Sequence, residues 1–311
     1  MLSETAVKNP VICLMGPTAA GKTDLAAKLA EQFSFEIISV DSAMVYRGMD
    51  IGTAKPDRNI LAHIPHYLID ICNLDETYSA GRFCKDAVEA IFQIENNQHI
   101  PLLTGGTMLY FRALQQGLSE LPVADPKIRE KINLEALQYG WDILYEKLHN
   151  IDPVTAKRLH SHDTQRIQRA LEVYEITGIP LSQWHYHQEK YLKNHQIINI
   201  GLIPNDREKL KIRIAERFHQ MLDMGLIDEV KKLWIFKDTP AMRSVGYRQV
   251  CEYLSGKYNE NTMIEKAIIA TQQLARRQMT WLRSFPDVTF FDSESSTVFE
   301  EVLQFLRVQN I

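Results

Sequence analysis

Residues Gly16-Pro17-Thr18-Ala19-Ala20-Gly21-Lys22-Thr23 fit the pattern GxxxxGK[ST] at every fixed position. The apolar run Val11 to Met15 precedes them, and helical spacing through Leu25, Ala26, Leu29 and Phe33 follows. A strand that turns through glycines into a helix is a phosphate cradle. Its amide N–H groups converge on phosphate oxygens, and the helix N-terminus adds a favourable field for an anion. Lys22 supplies positive charge to the terminal phosphate, and the Thr23 hydroxyl is placed to ligate Mg2+. All eight residues are therefore candidate diphosphate-binding residues. The motif also constrains the fold, because it occurs where a parallel strand feeds a helix.

The rest of the chain agrees with that beginning. Glu36 to Val40 and Ile100 to Leu103 read as buried strands, and Tyr67 to Asp70 as a further short one. Ala80 to Ile94 and Thr107 to Gln116 read as helices. The pattern changes near Leu121-Pro122, and Pro126 to Trp184 is helical with few strand signals. Gln196 to Pro204 returns to strand character. Helices over Arg207 to Met224, Ile227 to Phe236 and Met263 to Arg283 follow, then a strand at Val288 to Asp292 and a helix at Val298 to Val308. The expected architecture is α/β: a P-loop NTPase-like parallel sheet from residues 1–120 and 200–311, interrupted by a helical insertion over 121–199.

Charge is unevenly spread. The whole chain carries a net −4, which argues against a general polyanion binder. Residues 1–120 hold 9 Lys/Arg against 14 Asp/Glu, whereas 205–283 hold 15 against 10. A basic C-terminal segment on an acidic chain is compatible with a nucleic-acid footprint. No run approaches a membrane span, and Met1 to Pro10 lacks the basic and apolar regions of a secretory leader. The expectation is a cytoplasmic protein without a membrane. Cys13, Cys72, Cys84 and Cys251 form no CxxC pair and read as reduced thiols.

A P-loop reports a pyrophosphate, not a reaction. The default occupant is ATP or GTP, yet there is no Asn-Lys-x-Asp guanine motif, no apolar run ending in Asp-Glu, and no Arg-rich lid after the loop. Val40-Asp41-Ser42 places a carboxylate just past the second strand, the edge where ligands of open α/β sheets bind. A carboxylate beside a phosphate is repelled, so Asp41 either binds Mg2+ or accepts a proton from a nucleophile; alternatively it caps a turn. On these residues alone a nucleotide or small-molecule kinase stays open, as does an RNA-binding protein that uses a nucleotide as a switch.

The run from Asp41 through Tyr46-Arg47-Gly48-Met49-Asp50-Ile51-Gly52-Thr53-Ala54-Lys55 to Pro56 resembles the signature of the tRNA dimethylallyltransferases, the isopentenyl-tRNA transferases. The resemblance extends to Gly16-Pro17-Thr18, Gly105-Gly106-Thr107-Met108-Leu109-Tyr110, Gln165-Arg166 with Arg169 to Val173, Arg217-Phe218, Arg243 to Arg248, and Arg276 to Arg283. These blocks span residues 11 to 283 in the family's order. The chain lacks the C-terminal zinc finger of eukaryotic relatives and so resembles the bacterial form.

The resemblance implies transfer of a dimethylallyl group from dimethylallyl diphosphate to the exocyclic amine of adenosine 37, in tRNAs reading codons that begin with U. Pyrophosphate is the leaving group, and the enzyme is a monomer with Mg2+ as cofactor. Lys22, Asp41, Thr107 and Arg217 are then the catalytic residues. Arg217 clamps the diphosphate, Asp41 accepts the amine proton, and Thr107 sits where diphosphate and adenine meet. The base must leave the anticodon loop to arrive there. The expected contacts with the anticodon stem-loop are Asp41, Ser42, Ala43, Met44, Thr107 and Arg129, with Gln165, Arg166, Ile167, Gln168 and Arg169 from the insertion. Arg243, Ser244, Val245, Gly246, Tyr247 and Arg248 join them, as do Arg276, Arg277, Gln278, Met279, Thr280, Trp281, Leu282 and Arg283. Taken singly, each Arg reads as a solvated surface residue, Thr107 as a helix N-cap, and Trp281 and Trp184 as core or interface aromatics. His63 with His66, and His160 with His162, lack a completing acid or Cys and read as loop or packing residues.

Overall fold

The structure, a computed structural model, describes residues 9–119, 121–186 and 188–311. Residues 1–8, most of the segment read as lacking a leader, lie outside the described residues. The chain forms two compact units, Met1–Gln115 with Tyr191–Ile311, and Gln116–Lys190.

The first unit is built on strands β1 (Asn9–Met15), β2 (Phe35–Val40), β3 (His66–Tyr67) and β4 (Ile100–Gly105). A two-stranded ribbon in the second unit, β5 (Leu118–Ser119) and β6 (Gln188–Glu189), intervenes before β7 (His195–Ile203) and β8 (Val288–Asp292). The sheet order is β3-β2-β4-β1-β7-β8, parallel at every pairing. Parallel strands buried on both faces need continuous apolar runs, which is why Val11 to Met15 and the FEIISV of β2 are buried throughout. Ile12 and Leu14 pack with Leu25, Ala26 and Leu29 of α1 (Lys22–Gln32), and with Val302 and Leu306 of α13 (Val298–Val308). Strand alternation sends Cys13 to the other face, where Gln115 of α4 (Met108–Gln116) bonds its sulfur. There α3 (Ala80–Asn96) lies on β2 and β4 and buries Phe83, Ala87 and Ile91. Short α2 (Arg58–His63) fills the connection to β3, held by Asp57, whose carboxylate accepts the N–H groups of Asn59 and Ile60.

Register places the ligand edge. Met15 pairs with Gly105 and Gly201, and Val40 pairs with Gly105. The carboxyl ends of β1, β2 and β4 therefore finish level, and Gly16, Asp41 and Gly106 emerge side by side. The fit is tight: a Cβ on Gly105 would stand 2.1 Å from the Val40 carbonyl oxygen. Backbone cannot yield as a side chain can, so Gly105→Ala is expected to lower stability by about 1–3 kcal/mol, read from the urea midpoint at unchanged m-value.

After β7 come α9 (Arg207–Asp223), α10 (Leu226–Lys232), α11 (Tyr247–Leu254) and α12 (Glu260–Leu282). α11 has eight residues, too few for helical periodicity to declare it in the sequence. Leu210 and Ile214 of α9 pack on Ala275 and Met279 of α12.

The second unit holds α5 (Pro126–Tyr139), α6 (Trp141–Ile151), α7 (Pro153–Ala156) and α8 (Thr164–Thr177) around Ile132, Leu144, Leu148, Ile167 and Leu171. Asp125 caps α5, with Pro126 opening it. Asp152 accepts from Thr155 and from the Ser182 amide. Glu172, fully buried, receives Arg129 at 2.8 Å and Arg169 from one turn before it. Burial raises its carboxyl pKa, but the two guanidiniums outweigh that and hold it below the usual value. This unit begins at Gln116 and ends at Lys190, where the sequence pattern suggests 121–199. Ile198 and Ile200 alternate into the core of the sheet, so the last of those residues belong to β7.

Candidate active site

At the level strand ends lies a cavity of about 470 Å³ lined wholly by the first unit. Its polar lining residues include Thr18, Asp41, Ser42, Thr107, Arg217 and Gln278. Its apolar wall is Ile214, Phe218, Met221, Leu274 and Trp281. Charged, polar and apolar side chains lining one cavity suit a ligand with a charged head and a hydrocarbon tail.

The glycines of the P-loop have separate functions. Gly16 would place a Cβ 2.5 Å from the Leu202 carbonyl oxygen, so it is needed for close approach to β7. Gly21, at φ 77°, has open space around it and is needed for its left-handed backbone. Ala19 makes the other left-handed turn at φ 61°. The Lys22 ammonium donates to the Pro17 carbonyl at 2.6 Å. Its crowded surroundings, with the Arg217 guanidinium adding and the Asp41 carboxylate opposing, bring its pKa down to about 7. Arg217 too is pulled down by burial, against the pull of Asp41 and Asp24. Two cations, Lys22 and Arg217, thus lie in electrostatic reach of each other and of Asp41, with Asp24 also acting on Arg217. Of the predicted cradle, Thr18 differs from expectation: its amide N–H is already donated to Gln278 Oε1 at 2.9 Å.

Asp41 caps a turn, as one of the sequence readings has it. Its Oδ1 accepts the N–H groups of Ala43 at 2.8 Å and Met44 at 3.2 Å, so it caps the turn after β2. It also lines the cavity. Thr107 is a staple: its Oγ1 accepts the Ser42 N–H at 3.1 Å, and its own N–H donates to the Val40 carbonyl.

The predicted RNA blocks divide. Ser42, Ala43, Arg243, Ser244, Val245, Gly246, Tyr247, Arg277, Gln278 and Trp281 line the cavity with Asp41 and Thr107. Arg248, Arg276, Thr280 and Arg283 are exposed, as are Gln165 and Arg166 in the second unit. Met279 and Leu282 are buried on α12 and Ile167 in the insertion core, so these three carry packing and present no surface to RNA. Arg129 and Arg169 are tied to Glu172, and Gln168 to Asn133. Trp281, half-buried, receives Arg112 over its ring.

Sequence reasoning missed Glu229. Its carboxylate accepts the N–H groups of Asp50, Ile51 and Gly52 and the Tyr247 hydroxyl. It anchors the loop that gives Gly52 and Thr53 to the cavity, and a Cβ on Gly52 would meet the Tyr247 ring at 2.5 Å. One acid in a charged helix carries no sequence signal of this. Lys55, also in the signature run, bridges Asp50 and Asp70 with its side chain buried.

Among the described residues no group of three or more His, Cys, Asp or Glu is placed to hold a metal. The oxygen donors near the cradle are the Thr23 hydroxyl and the carboxylates of Asp24 and Asp41. Such a sparse set fits Mg2+, which keeps waters and completes its octahedron on substrate phosphates. The four cysteines are buried and unpaired, and no described helix is long and apolar enough to cross a membrane.

Comparison with known proteins agrees with this geometry. The family model described as IPP transferase matches residues 44–285. A tRNA dimethylallyltransferase of Coxiella burnetii is 52% identical over 305 residues, spanning 96% of this chain and 98% of its own. One from Legionella pneumophila is 54% identical over 293 residues, with 92% of each chain covered. The crystal structure of a full-length tRNA isopentenylpyrophosphate transferase from Bacillus halodurans superposes with a TM-score of 0.70 at 33% identity, over 97% of this chain and 96% of that one. A eukaryotic dimethylallyltransferase acting on tRNA gives 0.81 at 26% identity, over 97% and 79%. The family model covers most of the chain and the relatives match it nearly end to end, so the chain belongs to the IPP transferase family, the tRNA dimethylallyltransferases.

Proposed function

We propose that this chain transfers the dimethylallyl group of dimethylallyl diphosphate to the exocyclic amine of adenosine 37 in tRNA. The observation that carries the reading is one cavity lined by P-loop residues Thr18 and Ala19, the Asp41 carboxylate, Arg217 and apolar side chains, with Lys22 in electrostatic reach of Asp41 and Arg217. A kinase would need a site for a nucleoside and a phosphoryl acceptor, whereas this cavity offers hydrocarbon contacts from Phe218, Met221 and Leu274. The named relatives likewise favour the transferase.

In the reaction the bond between the allylic carbon and the diphosphate oxygen breaks, and its electron pair leaves with pyrophosphate. The amine nitrogen of the base forms the new C–N bond and loses a proton. Lys22, Arg217 and the loop amides from Ala19 onward meet the departing charge. Asp41 Oδ2, which takes no hydrogen bond among the described residues, accepts the amine hydrogen while Oδ1 stays on its turn. Thr107 fixes the loop of Asp41 against the loop after β4, so the acceptor is oriented before chemistry. Thr23, with Asp24 next to it in the chain, would hold Mg2+, which supplies charge neutralisation on the diphosphate. The exposed arginines of the blocks above would receive tRNA phosphates around the anticodon stem-loop, and the flipped adenine would enter beside Ser42 and Arg243.

The test incubates the protein with labelled dimethylallyl diphosphate, Mg2+ and unmodified tRNA. Label is expected in tRNA carrying adenosine at position 37 and not in the same tRNA with guanosine there. Label in neither removes the reading.

A further inference from the structure

The family resemblance groups Gln278 with RNA-contacting residues, but its amide is already engaged. Oε1 accepts the Thr18 N–H at 2.9 Å, and Nε2 donates to the Gly106 carbonyl at 3.0 Å. The two partners lie 260 and 172 positions away in sequence, on the loops after β1 and β4. The side chain is held from behind, because Ala275, Met279 and Leu282 are buried on the same helix. Space is reserved for it as well. A Cβ on Gly106 would come within 2.4 Å of Gln278 Nε2, so the second glycine of the Gly105-Gly106 pair makes room for this amide, as the first makes room for the Val40 carbonyl.

These bonds join the Thr107 staple into one chain of links. Gln278 ties the P-loop to the loop after β4, and Thr107 ties that loop to the turn of Asp41. The separation between the diphosphate cradle and the acceptor carboxylate is set through both. We propose that Gln278 is a positioning residue for the donor: it fixes the first turn of the P-loop, beside left-handed Ala19, at the distance from Asp41 that transfer requires, and it is not a tRNA contact. This rests on the transferase reading for the role of Asp41, but the clamp on the P-loop stands on geometry alone.

The decisive variant is Gln278→Met, which keeps the volume and loses both hydrogen bonds. Inorganic pyrophosphate with Mg2+ is the probe of the cradle, measured by calorimetry, and tRNA affinity is measured separately by fluorescence anisotropy. The expected result is pyrophosphate affinity weakened about tenfold or more, as for one or two lost hydrogen bonds, with tRNA affinity within about twofold of wild type. In turnover, the KM for dimethylallyl diphosphate should rise and kcat fall, with the KM for tRNA unchanged. Gly106→Ala, which displaces the amide without altering Gln278, should give the same pattern, and the double variant should be little worse than either single one. If Gln278→Met melts well below wild type, Gln278→Asn, which keeps an amide too short to reach both loops, takes its place. A loss of tRNA affinity equal to or larger than the loss for pyrophosphate overturns the proposal, and so does no change in either. Wild-type protein that binds pyrophosphate but labels no tRNA would refute the transferase reading, with the pyrophosphate comparison still deciding the clamp.

Discussion

Asp41→Asn is expected to lower kcat by about 10²–10⁴-fold, the range for removing a positioned proton acceptor, and to leave tRNA affinity within about twofold. Asparagine keeps Oδ1, so the N–H groups of Ala43 and Met44 remain capped and the turn after β2 survives. What disappears is the negative charge facing Lys22 and Arg217. Two consequences then separate. The amine loses its acceptor, which slows the chemical step. The cradle loses a carboxylate that repels diphosphate, so donor binding should hold or tighten. Single-turnover transfer at saturating donor and tRNA isolates the first effect, and pyrophosphate calorimetry reads the second. A kcat within about threefold of wild type would remove Asp41 from the reaction. An RNA-binding switch protein would instead show no transfer even in wild type, and Asp41→Asn would keep its RNA binding.

Lys22→Met should weaken pyrophosphate binding by about 10–100-fold, the value of one charged hydrogen bond at ~1.5–3 kcal/mol. The wild-type protein should also show a pH dependence that the variant lacks. With its pKa down at about 7, the Lys22 amine of the free protein is largely neutral at pH 8. A bound diphosphate replaces the Pro17 carbonyl as its partner and favours the ammonium, so the pKa rises on binding. Binding above pH 7 must therefore take up a proton. The apparent Kd should increase up to tenfold per pH unit from about pH 7 upward and level off below it. Calorimetry at pH 8 in two buffers of different ionisation enthalpy should show uptake approaching one proton in wild type and much less in Lys22→Met. Equal uptake in both would place the titrating group elsewhere.

Much of the site was legible because it rests on local patterns. The P-loop is contiguous, and its strand, glycines and helix start lie within a few residues of one another. β1, β2, β4 and β7 are buried on both faces, so their apolar runs stand out. Asp41 was found from its place after β2, since parallel sheets bind ligands at carboxyl ends. The short elements were not legible. α2 and α11 are below the length at which periodicity speaks, and the ribbon of β5 and β6 joins pairs of residues about seventy apart.

Sequence alone determined the P-loop pattern, the α/β class and the approximate place of the insertion, since each depends on spacing within one stretch of chain. Tertiary structure alone decided what each residue of a motif block does. It buried Ile167, Met279 and Leu282, tied Arg129 and Arg169 to Glu172, and turned Gln278 onto the P-loop. It also recruited Glu229, which no motif marks, to hold the cavity wall. The reason is physical: a helix carries successive residues to different faces, about 100° apart, and which face meets RNA, core or a neighbouring loop depends on what packs against it.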